Sequence, residues 1–188
     1  MPMIRETIVT SVSAAGRVHI APLGVIAAGE GWIIAPFRPS TTLDNLVASP
    51  FAVLNHVDDV RIFAGCLTGR RDWPLVNDAG AVARLAACVA HEELAVERVS
   101  EDEQRPRFHC RVTRRVTHGA FAGHNRAKSA VIEACILASR LHMLARDKVL
   151  AEMAYLQIAI SKTAGPAEEE AWGWVKAKID AHYSDKTP

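Results

Sequence analysis

The spacing of apolar residues changes once along this chain, and that change limits the folds open to it. From Arg107 to Thr117 apolar side chains recur at alternate positions. Phe108, Cys110, Val112 and Val116 share one face, while Arg107, His109, Arg111, Thr113 and Arg115 share the other. This is the pattern of a strand with one side against a core. From Arg126 to Ala145 the step becomes three or four, and Ala127, Ala130, Val131, Ala134, Leu137, Ala138, Leu141 and Ala145 form a broad helical stripe. Strands followed by helices predict an α+β protein.

The first sixty residues read as a β meander with one short helix inside it. Glu6 to Ser13 and Arg17 to Ala27 make a hairpin around Ala14-Ala15-Gly16, and Gly29-Glu30-Gly31 turns the chain into a third strand, Trp32 to Phe37. Pro36 and Pro39 end that strand, since proline cannot donate to a ladder. Ser40-Thr41-Thr42-Leu43-Asp44-Asn45-Leu46 begins a helix with a hydroxyl cap, Ser49-Pro50 closes it, and Phe51 to Val57 is the next strand. A short helix over Val60 to Leu67 and a loop over Arg70 to Gly80 follow. Strands over Val82 to Val99 and Arg107 to Thr117 then flank the polar turn from Ser100 to Pro106. Helices over Asp147 to Ser161 and Ala167 to His182 complete the chain, with Glu168, Glu169 and Glu170 placed where the last helix's dipole favours them. The tail from Ser184 to Pro188 is expected to fray.

With 188 residues, 49% hydrophobic and 23% charged, the chain can bury one full core and a helical extension. Its 22 Lys and Arg against 21 Asp and Glu leave a formal charge of +1, so no global field argues for nucleic acid or an anionic membrane. Uncharged stretches such as Leu46 to Val57 are too short and too polar to span a bilayer. Met1 to Glu6 lead into a strand without an apolar signal core, so a cytoplasmic location is expected. Cys66, Cys88, Cys110 and Cys135 contain no C-x-x-C pair and read as buried reduced thiols. The scattered histidines form no metal-ligand spacing, so metal binding requires long-range assembly and no metal ligands are assigned.

Common catalytic signatures are missing: the chain has no G-x-x-x-x-G-K-[ST], G-x-G-x-x-G after a strand, G-x-S-x-G or H-E-x-x-H. One segment suits an anion. In Pro36-Phe37-Arg38-Pro39-Ser40-Thr41-Thr42, a cation held between prolines precedes three hydroxyl residues and a helix start, which is what a phosphate monoester requires. The same residues also read as an ordinary capped helix with Ser40 as the cap. Two further segments point to the same ligand. His19-Ile20-Ala21-Pro22-Leu23-Gly24-Val25 carries proline and glycine in a strand, where a flat ligand can approach the backbone or where an edge strand is bulged. Gly119 to Lys128 joins a glycine-flanked Phe121 to His124, Asn125, Arg126 and Lys128 at a helix start, either a ligand loop or a helix capped by Asn125.

The order of these segments resembles the FMN-binding split barrel of the flavin-reductase type. It is most similar to a family known as domain of unknown function 447, matched by Arg5-Glu6-Thr7-Ile8-Val9-Thr10, the Ser-Thr-Thr segment, Asn125-Arg126-Ala127-Lys128, Ile132-Glu133-Ala134 and Ser139-Arg140. The resemblance covers about residues 4 to 163 and implies a homodimer with FMN at the subunit interface. Arg38, Ser40, Thr41 and Thr42 would hold the phosphate, with Asn45 supporting the loop. Ala21, Pro22, Leu23 and Gly24 would line the isoalloxazine, and Asn55 would sit on the adjoining strand. His124, Asn125, Arg126 and Lys128 would complete the pocket, with the contributing subunit left open. The implied function is a flavin-dependent oxidoreductase acting on a small molecule, with a pterin-related substrate as its narrowest form. A non-catalytic FMN carrier or sensor is the alternative. Catalytic residues, electron donor and the choice between FMN and a deazaflavin stay open.

These features together predict a split β-barrel of about six strands over residues 1–120. A C-terminal helical region over 121–188 packs on it as one structural unit. Glu133 and Arg140, seven apart, read as a structural pair on one helix face, with Arg126 as the other possible partner. A hairpin centred near Asp102 places Glu97 by Arg107 and Glu93 by Arg111, so cross-strand pairing accounts for the basic row. His56-Val57-Asp58-Asp59 reads as a solvated strand end or as a general acid near the flavin.

Overall fold

The computed structural model describes residues 2–78 and 80–184. They fall into two compact units, 1–58 with 73–121, and 59–72 with 122–188. The first holds β1 (Ile4–Val12), β2 (Val18–Ala28), β3 (Gly31–Ile34), α1 (Thr41–Ala48), β4 (Phe51–Val57), β5 (Leu75–Val76), β6 (Arg84–Leu85), β7 (Cys88–Ser100) and β8 (Arg107–Thr117). The second holds α2 (Arg61–Leu67), α3 (Arg126–Ser139), α4 (Arg146–Thr163) and α5 (Pro166–Ser184). The expected frayed tail beyond Ser184 lies outside the described residues.

Six strands close into a barrel in the order β1, β2, β3, β8, β7, β4. Closure comes from β4 returning antiparallel to β1, with Ile8 opposite Asn55 and Ser11 opposite Ala52. Val9, Val25, Ile34, Leu54, Leu94 and Phe108 fill the interior, and α1 adds Leu43 and Leu46 to the same cluster. Each such side chain contributes about 1.5–3 kcal/mol on full burial. The approach of β3 to β8 demands glycine at one point, because a Cβ on Gly31 would fall 2.3 Å from the Cys110 carbonyl oxygen.

Several sequence expectations need correction. The third strand stops at Ile34, short of Phe37. The strand expected from Val82 is broken into β6 and β7. Along β7 two irregularities shift the ladder to β8, between Glu93 and Leu94 and between Val96 and Arg98, and Ser100 faces Arg107. The basic row is therefore paired differently: Glu97 meets Arg111 at 2.8 Å, Glu93 meets Arg114 at 3.2 Å and Glu92 meets Arg115 at 3.2 Å. Bulges carry no simple periodic signature, so the register could not be counted back from the turn.

In the helical unit, α3 ends at Ser139 rather than Ala145. The Ser139 hydroxyl donates to the Ile136 carbonyl at 2.7 Å and the Arg140 N–H to Leu137, which closes the last turn. Leu141 stays buried beyond that end, whereas Ala145 is exposed. Arg140 is thus the C-cap residue and not a member of the Glu133 face. Ala127, Ala130, Ala134 and Ala138 are buried on α3, as are Val175 and Ile179 on α5 and Ile62 on α2, and α3 contacts both of those helices, small side chains letting helices approach closely. The expected acidic first turn of α5 is present, and Glu168 accepts the Gly165 N–H at 3.0 Å.

Asn55 ties the barrel closure to the segment above it. Fully buried, its amide donates to the Ile8 carbonyl at 3.1 Å and to Thr10 Oγ1 at 3.2 Å, while its oxygen accepts the Leu85 N–H at 2.7 Å. Asn55→Ala strands the Leu85 donor and the Ile8 acceptor at about 1–3 kcal/mol each. The expected outcome is a melting temperature lower by on the order of 10 °C, read by circular dichroism.

Candidate functional site

The hydroxyl corner forms where β3 gives way to α1. Ser40, in extended conformation, caps the helix through its side-chain oxygen, which accepts the Leu43 N–H at 3.3 Å. The ordinary capping role of Ser40 is therefore realised. The N–H groups of Thr41 and Thr42, ahead of the first helical bond, meet no acceptor among the described residues. Thr41 is exposed and Thr42 buried. Asn45 is buried and donates to the Ser11 hydroxyl at 3.0 Å, which fastens α1 to β1. Arg38 is held from both ends: its N–H donates to the Gln104 carbonyl at 2.8 Å and its guanidinium meets Glu101 at 2.8 Å. That ion pair is 43% exposed on the arginine and 77% on the glutamate, so it contributes about 0–1 kcal/mol and an anion can compete for it.

Beside this corner, α1 packs against β1 and β2. Ala21 to Gly24 pair with β1 from Val9 to Glu6, but β3 reaches only Ile26 to Ala28 of β2. The Ala21–Gly24 stretch therefore has a strand on one side only, and Pro22 sits where a missing N–H is tolerated. A Cβ on Gly24 would lie 3.0 Å from Ile4 and 3.1 Å from Glu6, so the side chains of β1 take the room this glycine leaves. Asn55 lies across β1 from Pro22, both opposite Ile8, with its amide committed inside the wall. The remaining expected residues belong to the helical unit. Asn125 caps α3, accepting from Ala127 at 2.8 Å and Lys128 at 3.3 Å, and donates to the Thr163 carbonyl at 3.0 Å. Arg126 opens the helix, Lys128 lies in its first turn and His124 precedes its cap.

A second polar feature lies in the barrel wall and was not found from the sequence. Buried Glu92 on β7 accepts from Trp32 Nε1 at 2.7 Å and Arg115 at 3.2 Å, and faces His56 Nε2 at 3.4 Å. Burial pushes this carboxyl up, but the bonds from His56, Arg115 and Trp32 outweigh it and hold Glu92 down at about 2. His56 is half-buried against Glu92, so it is no simple solvated strand end, while Asp59 is engaged by Arg61 at 2.7 Å. His56 and Arg5 line two hollows of about 390 and 400 Å³, the first also bordered by Trp32, Glu92 and Arg115 and the second by Val89 and Phe121. The available signal was His91-Glu92-Glu93, three polar residues in the middle of a strand.

The expected thiols are all free and buried. Desolvation pushes Cys66 up to about 11 and Cys110 and Cys135 up to about 12, which leaves them poor nucleophiles.

Two family models match in tandem. "Protein of unknown function (DUF447) N-terminal domain" covers residues 5–119, and "Protein of unknown function (DUF447)" covers residues 125–177. The chain belongs to the DUF447 family. No curated protein matches it. Among solved structures it is similar to FMN-bound protein MM1853 from Methanosarcina mazei, a DUF447 member, with TM-score 0.81 and 19% identity over 95% of this chain and 96% of that one. It is also similar to the NADH:FAD oxidoreductase SgcE6 of Streptomyces globisporus C-1027, with TM-score 0.51 and 15% identity over 60% and 70%. An FMN-binding protein from Thermus thermophilus, solved with 1-cyclohex-2-enone, matches with TM-score 0.51 and 14% identity over 62% and 71%. At these identities the likeness establishes a shared fold: the DUF447 chain has the flavin-reductase type of split barrel, as expected. No described helix is long and apolar enough to cross a membrane.

Glu92 makes acid stability testable. A carboxyl held low in the folded state contributes its full stability above pH about 4.5 and loses it as the pH falls toward about 2. Glu92→Gln should flatten that limb of the melting-temperature profile between those values and lower stability at neutral pH. A profile that keeps the wild-type slope would remove Glu92 from this role.

Proposed function

We propose that this protein binds FMN as a homodimer and acts as a flavin-dependent oxidoreductase on a small molecule, a pterin-related acceptor being the narrowest form of the reading. The observation that carries it is the α1 start, where two unpartnered helix N–H groups and the Thr41 hydroxyl stand beside an exposed, weakly paired Arg38. These are donors and a cation suited to a doubly charged phosphate. Ser40 shapes the turn, Asn45 fastens α1 to β1 through Ser11, and Thr42 lies buried beside them. The one-sided stretch from Ala21 to Gly24 offers backbone to a planar ring. His124, Asn125, Arg126 and Lys128 enter this reading as groups contributed by the helical unit of a second copy. FMN, when bound, supplies hydride and one-electron chemistry, while the chain binds and orients it.

Purified protein should carry absorbance near 450 nm that NADH or NADPH bleaches without oxygen; a yellow protein that no donor bleaches is instead a carrier or sensor. Arg38→Ala should weaken FMN binding about tenfold to a hundredfold, as expected for a charge-assisted contact of roughly 1.5–3 kcal/mol. Glu101→Ala, which releases Arg38 from its internal partner, should leave affinity unchanged or tighten it. A colourless protein with no thermal gain from added FMN overturns the proposal.

A further inference from the structure

Outside the hydroxyl corner and the Glu92 wall, one side-chain cluster has ligand chemistry of its own. Cys88, His91 and His118 each offer a potential metal-binding atom, and those three atoms lie within 4.8 Å of one another. Cys88 and His91 are buried, whereas His118 is exposed. The sequence gives no sign of this, because two of the residues are three apart on a strand and the third is 27 positions further on.

The backbone explains how they meet. Residues three apart on a regular strand point to opposite faces. Here the ladder from β7 to β4 runs from Ala90 opposite His56 to Cys88 opposite Val57, so Val89 is an extra residue. That bulge returns Cys88 to the face of His91. The carbonyl of the same Val89 accepts two N–H groups, from His118 at 2.8 Å and Gly119 at 3.0 Å, which fixes the third residue over the pair. One irregularity thus aims all three side chains.

We propose that Cys88, His91 and His118 form a mononuclear site for a divalent transition-metal cation, best suited to Zn²⁺, with its fourth position open to solvent beside His118. Thiolate and imidazole are ligand types that zinc takes, three protein ligands with a fourth position open is its catalytic-type arrangement, and tetrahedral coordination places such atoms about 3.3–3.6 Å apart. The two rings are near-parallel, 10° between planes, with His91 Nδ1 and His118 Nε2 at 2.8 Å. Opening that contact by about half an ångström lets a cation replace the proton the nitrogens share. The other nitrogen of His91, Nε2, faces Glu93 Oε1 at 3.6 Å, the carboxylate–histidine arrangement that orients metal-bound imidazoles. Arg84, near the Cys88 sulfur at 3.7 Å, is offset by Asp78 at 2.7 Å, and Arg114 is offset by Glu93 at 3.2 Å. The neighbouring cations are therefore neutralised. Binding sends the Cys88 thiol proton to solvent, while the proton between the two rings moves to the non-coordinating nitrogen of the ring that carries it, so that both imidazoles bind neutral.

The full-length protein, stripped with chelator, is titrated with Zn²⁺ by calorimetry and with Co²⁺ by absorbance. The expected result is one equivalent bound, a thiolate-to-cobalt charge-transfer band in the near ultraviolet, and visible bands of tetrahedral intensity. His118→Ala, on the exposed side and checked for fold by circular dichroism, should lower affinity more than about 100-fold. Cys88→Ser should abolish the charge-transfer band, and Glu93→Gln should weaken binding about 10–100-fold. Absence of a bound equivalent, binding that His118→Ala leaves intact, or a cobalt complex without the thiolate band each overturns the site. None of these readouts involves flavin, so the outcome is independent of the proposed cofactor.

Discussion

The closure of β4 onto β1 is the constraint on which the rest of the first unit depends. A six-stranded sheet left open there would expose the interior side chains Val9 and Leu54 along its seam. Closure brings Asn55 into the wall, where its amide joins β1 and its oxygen receives the main chain of β6. Removing one partner from such a buried set is far more damaging than the modest net worth of each bond suggests. β1 is also paired with β2 from Ile4 to Val12, and Asn45 fastens α1 to this strand through Ser11.

From this wall two kinds of polar feature arise. The hydroxyl corner is assembled from neighbours in sequence: Arg38 to Asn45 need only a strand end, two prolines and a capped helix start to stand together. The Glu92 wall draws on four strands and the Cys88–His91–His118 cluster on β7 and the end of β8, and each uses a strand residue whose facing is set by long-range register. Proximity in the first case is a local property and in the second a property of the whole barrel.

That difference decides what could be read without coordinates. The strands Phe51–Val57 and Arg107–Thr117 were delimited correctly, because proline, a polar turn and strict alternation bound them. Of the two readings open at Ser40 and at Asn125, the cap is present in each, and it is legible because capping depends on two or three adjacent residues. The end of α3 is not legible in the sequence, since the apolar stripe continues through buried Leu141 after the helix has stopped. The partners of Arg111, Arg114 and Arg115 were missed because bulges reset the count across the hairpin. Assigning residues 59–72 to the company of the C-terminal helices was equally beyond a linear reading, for α2 is separated from α3 by the whole β7–β8 hairpin.

The one-sided stretch of β2 has a consequence for behaviour at high concentration. Unpaired strand edges recruit other chains into intermolecular sheets. Here the open segment carries a residue with no hydrogen to donate, Pro22, next but one to Gly24, which resists extended pairing. The segment thereby denies its edge to a foreign strand, so replacing Pro22 by a β-branched residue would restore a donor there and make the protein stickier.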